Sequence, residues 1–406
     1  MGFVQWKLLL CFAAAWVIVF LCIIKGIKTS GKVVYFTATF PYVVLTILLI
    51  RGVTLPGAAD GLKYYLIPKW EKLLSFKVWG EAAMQIFFST GIGGALITMA
   101  SFNKFNNNCY RDAILISILN AGTSVFAGLV IFSVVGFMAR ETGESIDNVI
   151  TQGPGLAFVV YPAALTKLPV SPVWSVLFFT MLLTLGVGSM IVMVQNLVVS
   201  ITDEFNLTSR KTLLTAIICV VEFLFGIPMI MQGGMYVLQV MDYYSVVFTL
   251  MIVTFVECVA VTWIYGMDQF SKDIKLMIGS NPSILWKICW RFITPGLILC
   301  IFCFLIVTHV PVTYGDYTYP DWAIAIGWIL AAVSFAPSPM YACYRMLTTD
   351  GKTFVQRIRF LRMPEPKWGP ALKENRELYL RALSAERKRH VLGPREVNVD
   401  LAPLKQ

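Results

Sequence analysis

Residues 78–95 read VWGEAAMQIFFSTGIGGA, an apolar stretch that ends with three glycines in four positions. A glycine inside a helix costs about 1 kcal/mol relative to alanine, so we predict a helix that breaks near residues 89–94. In a membrane, a break leaves backbone carbonyl and N–H groups free, which is tolerated where they line a cavity or bind ions. The alternative is close packing of an unbroken helix through its small residues.

The composition of the whole chain indicates a membrane protein. Of 406 residues, 57% are hydrophobic and only 14% are charged, whereas a soluble domain carries about 25% charged residues. This excludes disordered, fibrous and secreted disulfide-rich proteins. The nine cysteines lie in or beside apolar runs and form no CxxC pair, so neither a disulfide framework nor a transition-metal site is predicted.

A spanning helix needs about 20 mostly apolar residues. We therefore predict an all-α integral membrane protein with about nine transmembrane helices. The nine apolar runs cover roughly residues 7–24, 33–51, 78–101, 112–138, 172–201, 212–231, 236–265, 288–309 and 321–343. Two long segments between them, about 52–77 and 140–171, are expected to hold short surface helices, since proline and glycine interrupt them.

The C-terminal residues differ in character from the rest of the chain. From Arg345 onwards there are 14 Lys and Arg against 7 Asp and Glu, a net charge of +7. A basic tail after the last span predicts a cytoplasmic C-terminus facing anionic lipid, so the charge does not indicate nucleic acid. We thus predict a transmembrane domain over 1–343 and a basic tail over 344–406. Nine spans would place the N-terminus of this chain outside.

Polar residues within other spans suggest binding sites. Asn120 and Ser124 lie one helical turn apart and share a face. Gly186-Val-Gly188-Ser189 and Met193 follow in the next long apolar run. Hydroxyl and amide oxygens suit hard cations such as Na⁺, and their N–H and O–H groups suit anions. Each pattern alone is more typical of hydrogen bonds between packed helices.

Three acidic residues also fall within spans. A charge left unpaired at the bilayer centre costs at least about 2.5–3.5 kcal/mol. Asp242 lies near the outer end of its span, where an external gate would be. Glu222 and Glu257 are expected to be paired structurally or to be protonated rather than to act in transport.

Seven motifs resemble the sodium- and chloride-dependent neurotransmitter symporter family, over nearly all of residues 1–345. They occupy residues 26–42, 51–57, 85–89, 100–112, 155–158, 233–236 and 263–266. The Gly188-Ser189 pair, where most animal relatives carry aspartate before the serine, is similar to invertebrate nutrient amino acid transporters.

The resemblance implies a twelve-span fold of two inverted repeats around a site at the membrane midplane. The first span of this chain matches the family's fourth, so we expect an N-terminally truncated sequence that lacks three spans. A genuine short isoform is the alternative, and it would not be expected to transport unaided.

The resemblance also assigns site residues. The first sodium site would contain Ser89 and Asn120, and the second would contain Leu185 (through its carbonyl), Gly188 and Ser189. The chloride ligands would be Gln85, Ser89, Asn120 and Ser124. The substrate pocket would contain Phe88, Gly91, Gly94, Ser189 and Met193, and Asp242 would be the outer gate acid. The neutral Ser124, where chloride-independent bacterial relatives carry glutamate, implies that chloride is required.

The implied function is symport of a neutral amino acid with Na⁺ and Cl⁻ across the plasma membrane. Gly94 replaces a phenylalanine common among relatives and Met193 adds a flexible wall, which together favour a large substrate. An amine, GABA or osmolyte carrier is a second interpretation. A third is a non-transporting partner of full-length relatives. No covalent chemistry, and hence neither an enzyme nor a cofactor besides the transported ions, is implied.

Overall fold

The fold is that of a computed structural model. It describes residues 2–24, 27–91, 94–150, 155–309, 311–314, 317–349, 353–361 and 368–392, and the side chains of most but not all of them. The chain divides into two compact units. One unit consists of Met1–Phe102, Asp112–Met251 and Ile301–Ser334, and the other of Asn103–Arg111, Ile252–Cys300 and Phe335–Gln406.

Helices account for nearly all of the described structure. The α-helices are α1 Trp6–Ile24, α2 Ile27–Val53, α3 Ala58–Leu66, α4 Phe76–Ser89, α5 Ala95–Ala100, α6 Cys109–Thr142, α7 Ile146–Val149, α8 Tyr161–Thr166, α9 Ser171–Phe205, α10 Lys211–Gly226, α11 Gly234–Val240, α12 Thr249–Val259, α13 Met267–Ile278, α14 Ile284–Ile288, α15 Thr294–Val307, α16 Asp321–Phe335, α17 Pro337–Thr348, α18 Phe354–Leu361 and α19 Lys373–Leu392.

Tighter and wider helical turns join several of these α-helices. Turns of 3₁₀ geometry cover Trp70–Leu74, Thr208–Arg210 and Ile227–Ile230, and π-helical turns cover Leu156–Val160, Met241–Phe248, Ala260–Gly266 and Cys289–Ile293. The short strands β1 (Thr313–Tyr314) and β2 (Tyr317–Thr318) pair antiparallel, with Thr313 opposite Thr318.

Long apolar helices confirm the predicted membrane class. Among the described residues, seven helices are long and apolar enough to span a membrane, or eight if the bent pair α16–α17 is one span. The difference from nine is the predicted run 78–101. It is broken into α4 and α5, of 14 and 6 residues, and neither piece reaches the length of a span.

The helix break lies where the glycines predicted it. α4 ends at Ser89 and α5 begins at Ala95, while Gly91 and Gly94 take φ angles of +71° and +89°. Such left-handed backbone is accessible to glycine at little cost. Residues 92 and 93 lie outside the described residues.

In the first unit, α9 is the main packing partner of the other helices. It packs against α1, α2, α5, α8 and α10. One apolar cluster joins α2, α6, α8 and α9, and another joins α1, α9 and α10. The faces of these helices that no other element covers are rich in Leu, Ile, Val and Phe, as a surface in contact with lipid requires.

The two long segments between spans hold short helices, as predicted: α3 with the Trp70–Leu74 turn, and α7 with α8. Gly153 and Pro154 of the second segment lie outside the described residues. The Tyr64 hydroxyl of α3 donates a hydrogen bond to the Asp147 carboxylate of α7. This bond, with some burial, raises the pKa of the Tyr64 hydroxyl.

The helical run that enters the second unit at Ile252 is longer than one span needs to be. The helical run Gly234–Ile278 has 45 residues, so at about 1.5 Å per residue it far exceeds the roughly 30 Å of a bilayer's hydrocarbon core. Gly266, with φ of +106°, separates α13 from the apolar part of the run. α13 is polar on one face, which is typical of a helix outside the hydrocarbon.

Close contact between α3 and α6 depends on glycines. A Cβ atom built on Gly136 of α6 would lie 2.5 Å from the Gly57 carbonyl oxygen and 2.8 Å from the Gly61 Cα atom. Both are closer than real Cβ contacts allow, and both are to backbone, which cannot turn aside. By contrast, a Cβ on Gly122 of the same helix has no atom within 4 Å among the described residues beyond its own helix backbone and chain neighbours.

We therefore expect Gly136→Ala to destabilise the fold and Gly122→Ala to leave it unchanged or slightly more stable. Overpacking typically costs about 1–3 kcal/mol, while alanine gains about 1 kcal/mol of helix propensity at either position. The measurement is the thermal unfolding midpoint of the purified chain in detergent. Equal midpoints for the two variants would contradict the close approach of α3 and α6.

Candidate functional site

The end of α4 and the middle of α6 meet through polar side chains. The Asn120 Nδ2 atom donates a hydrogen bond to the Ser89 Oγ atom at 2.8 Å. The Ser124 hydroxyl, one turn further along α6, donates to the Asn120 carbonyl at 3.0 Å. Gln85 lies one turn before Ser89 on α4 and is exposed. The structure thus brings three of the four predicted chloride ligands together and places the fourth on an adjacent turn.

The chemistry of this cluster suits a small ion. Ser89, the last residue of α4, is followed by backbone that leaves the helix at Gly91. The Asn120 Oδ1 atom and the two hydroxyl oxygens can act as ligands for a hard cation, and their N–H and O–H groups can act as donors to an anion. Within the chain, Ser89 is exposed and Asn120 is half-buried, so an ion could reach both side chains.

The far side of the helix break contacts α9. The Thr98 hydroxyl of α5 donates a hydrogen bond to the Asn196 Oδ1 atom of α9. A Cβ atom on Gly94 would lie 4.0 Å from the Asn196 Nδ2 atom. Asn196 shares a face of α9 with Ser189 and Met193, since the three are spaced four and three residues apart. Two predicted pocket residues therefore lie on the helix face beside Gly94.

Gly188, a predicted sodium residue of α9, lies close to α2. A Cβ on Gly188 would be 3.0 Å from the Thr37 Oγ1 atom, and Thr37 is buried. Ser189 is exposed, and Met193 is 64% exposed. Leu185 lies inside the uninterrupted helix α9, where backbone carbonyls accept the helix's own hydrogen bonds.

Predicted site residues, together with three polar residues that the sequence analysis did not identify, form two polar groups. The first group is Gln85, Ser89, Asn120 and Ser124, and it joins α4 to α6. The second group is Thr37, Gly94, Thr98, Gly188, Ser189, Met193 and Asn196, and it joins α2 and α5 to α9. Over the described ranges, α6 is not one of the helices that pack extensively on α9. The residues predicted for the first sodium site, Ser89 and Asn120, thus lie in one group, and Gly188 and Ser189 of the predicted second site lie in the other.

Phe88, Gly91 and Asp242 are the predicted residues that neither group contains. Phe88, beside Ser89 on α4, is 38% exposed, and Gly91 begins the break. Asp242 is exposed in the π-helical segment Met241–Phe248. Its neighbour Tyr243 has its hydroxyl 3.2 Å from the His309 Nδ1 atom.

The sequence analysis missed several polar residues of the site. Thr98 and Asn196 link the broken helix to α9, and Thr37 faces Gly188. The Tyr42 hydroxyl and the Thr123 Oγ1 atom, 2.7 Å apart, link α2 to α6. Asn196 could have been found, because an amide inside an apolar run needs a partner. The threonines could not be identified as site residues from sequence, since a threonine hydroxyl readily bonds to a backbone carbonyl of its own helix.

Comparison with known families decides the class of this protein. The model of the sodium:neurotransmitter symporter family matches residues 1–349. The chain belongs to this family. Its members are transporters and not enzymes, and the long apolar helices agree with a multi-pass membrane protein. The family resemblance inferred from the motifs is thereby confirmed.

Several curated relatives are closely similar to this family member. The sodium- and chloride-dependent glycine transporter 1 of Xenopus laevis is 49% identical over 99% of this chain and 65% of its own length. Glycine transporter 2 of Xenopus laevis is 50% identical over 92% of this chain and 48% of its own length. The creatine transporter 1 of Bos taurus is 46% identical over 91% of this chain and 59% of its own length.

The chain therefore spans about half to two-thirds of the length of these curated relatives. Their names mention glycine and creatine, so a large amino acid as substrate is not confirmed. The likeness to invertebrate nutrient amino acid transporters stays a prediction, as do the site assignments.

A double-mutant cycle tests the link between α4 and α6. We expect Ser89→Ala and Asn120→Ala each to destabilise the protein, and the double variant to cost less than their sum, with a coupling energy of about 1 kcal/mol. The measurement is thermal unfolding in detergent. Ser117 of α6 bonds only to the Ala113 carbonyl of its own helix among the described contacts, so Ser117→Ala is the control. The effects of Ser117→Ala and Ser89→Ala on the free energy of unfolding should add.

Proposed function

We propose that this protein functions in the symport of a neutral amino acid or related zwitterion with Na⁺ and Cl⁻ across the plasma membrane. The observation that carries the proposal is the Ser89–Asn120 contact beside the helix break, in a chain that belongs to this transporter family. The names of the relatives, which specify dependence on sodium and chloride, support the choice of ions.

The ligand chemistry supports a need for both ions. Ser89 and Asn120 offer neutral oxygen ligands to Na⁺, and Gly188 contributes no carboxylate. Near Asn120, Ser124 supplies a hydroxyl instead of a fixed negative charge. A cation held by neutral groups alone is stabilised by a nearby anion, and Cl⁻ would provide that charge.

The membrane potential would drive accumulation. One net positive charge carried inward across 100 mV provides about 2.3 kcal/mol. Since 1.4 kcal/mol corresponds to a factor of ten, this supports roughly fiftyfold accumulation of the substrate. The protein need only couple the ions to the substrate and alternate its access.

We propose glycine or creatine as the first substrate candidates, because relatives that carry these names are 46–50% identical to this chain. A large neutral amino acid is the second candidate. It is supported by the space beside Gly94: among the described residues other than its chain neighbours, the nearest heavy atom to an added Cβ is 4.0 Å away. Met193, which is largely exposed, could adapt its shape to either.

The basic C-terminal tail supports a cytoplasmic C-terminus, with net charge +7 from Arg345 onwards. Assembly with full-length relatives is a further proposal. Co-expression with such a relative, followed by co-purification, would test it.

A substrate panel distinguishes the two candidates. The chain is expressed in oocytes, and uptake of radiolabelled glycine, creatine and leucine is measured with and without Na⁺ and Cl⁻. We expect uptake of glycine or creatine that needs both ions. Uptake of leucine alone would favour the second candidate. No uptake of any of the three would contradict autonomous transport of these substrates.

Asn120→Ala should abolish sodium-driven uptake, because it removes both an oxygen ligand and the hydrogen bond that positions Ser89. Ser117→Ala, on the same helix, should retain uptake. Both variants need matched surface expression, measured by biotinylation. If Asn120→Ala showed unchanged sodium dependence, the sodium-site assignment would be wrong.

A further inference from the structure

Arg291 lies on a helical surface that is otherwise apolar. Its side chain is exposed, and Ile288, Phe292 and Leu297 along the same stretch are 45%, 56% and 55% exposed. The helix α15 begins just after it and has 14 residues, none of them charged. A surface of this kind faces lipid, where a charge without a partner costs free energy. The guanidinium of Arg291 therefore needs an anionic partner at the end of the hydrocarbon region.

Two aromatic rings hold this guanidinium in place. The Arg291 Cζ atom lies 5.1 Å from the centre of the Trp263 ring and 5.5 Å from that of Phe292. The Trp263 Nε1 atom donates a hydrogen bond to the Arg291 carbonyl at 3.2 Å, which ties the two helical stretches together. A cation over an aromatic face is attracted by the ring, most strongly by an indole. The charge is thus positioned by its surroundings.

The N–H groups of Arg291 have no acceptor in the described part of the chain. None of the ion pairs found there includes Arg291, and its side chain donates no hydrogen bond to a described residue. A guanidinium presents five donors in a fixed fork, which matches the paired oxygens of a phosphate. On a surface that faces lipid, headgroup phosphates lie at the end of the hydrocarbon region and supply such oxygens.

We propose that Arg291, held by Trp263 and Phe292, binds the phosphate of an anionic phospholipid headgroup. Lys287 lies four residues earlier, about one helical turn away, and adds a second positive charge. α15 and the bent pair α16–α17, counted as one span, lie between Arg291 and the basic tail, so both are on the same side of the membrane. The proposed cytoplasmic side of that tail is the side whose leaflet carries anionic lipids. The site does not depend on the proposed transport activity.

Native mass spectrometry of the full chain in detergent tests this site. Phosphatidylglycerol serves as the anionic lipid and phosphatidylcholine as the neutral reference, and the dissociation constant of the first bound lipid is measured. We expect tighter binding of phosphatidylglycerol. Arg291→Gln should weaken that binding roughly tenfold, because it removes a charged donor to the phosphate. Lys275→Gln, which removes an exposed charge of α13, is the matched control and should leave the affinity unchanged.

Two further variants distinguish the ring-held site from general attraction to positive charge. Arg291→Lys keeps the charge but loses the planar fork, and Trp263→Leu keeps Arg291 but removes a ring that holds it. Both should bind phosphatidylglycerol several-fold more weakly than the unchanged chain. Unchanged affinity in any of the variants at Arg291 or Trp263 would overturn the proposal. Displacement of phosphatidylglycerol by millimolar inorganic phosphate would also overturn it, since the site would then take free phosphate rather than lipid.

Discussion

The need to satisfy backbone hydrogen bonds without water governs this structure. Within lipid, each N–H and C=O group must find its partner inside the protein, and helices do this with local contacts alone. The described elements are accordingly helices joined by short turns, with one two-residue strand pair at 313–318. Under this constraint, a helix that ends inside an apolar run is costly, so the break between Ser89 and Ala95 must be compensated by its surroundings.

Polar side chains from neighbouring helices bond to side chains on both sides of the break. Asn120 of α6 reaches the end of α4, and Asn196 of α9 reaches α5. The two amides belong to different helices, so movement of either helix would change its contact with the residue beside the break. The proposed symport would require such a coupling between ion binding and helix position.

Small residues and flexible turns determine where the helices can approach each other and where they can bend. Gly57, Gly61 and Gly136 allow α3 to lie directly on α6. Gly266 separates α13 from the span before it. Each glycine acts through the absence of a side chain, either because backbone lies too close or because φ is positive.

Hydropathy and glycine spacing were sufficient to predict the membrane class, most spans, the helix break and the short helices between spans, because these follow from local composition. The Ser89–Asn120 pair was predicted only through family resemblance, and the structure brings it together. Thr37, Thr98 and Asn196 required the tertiary structure, because their contacts join residues 98 or more positions apart whose partners depend on how helices pack. The neighbours that complete each polar group were likewise decided by packing, since α9 lies against α2 and α5.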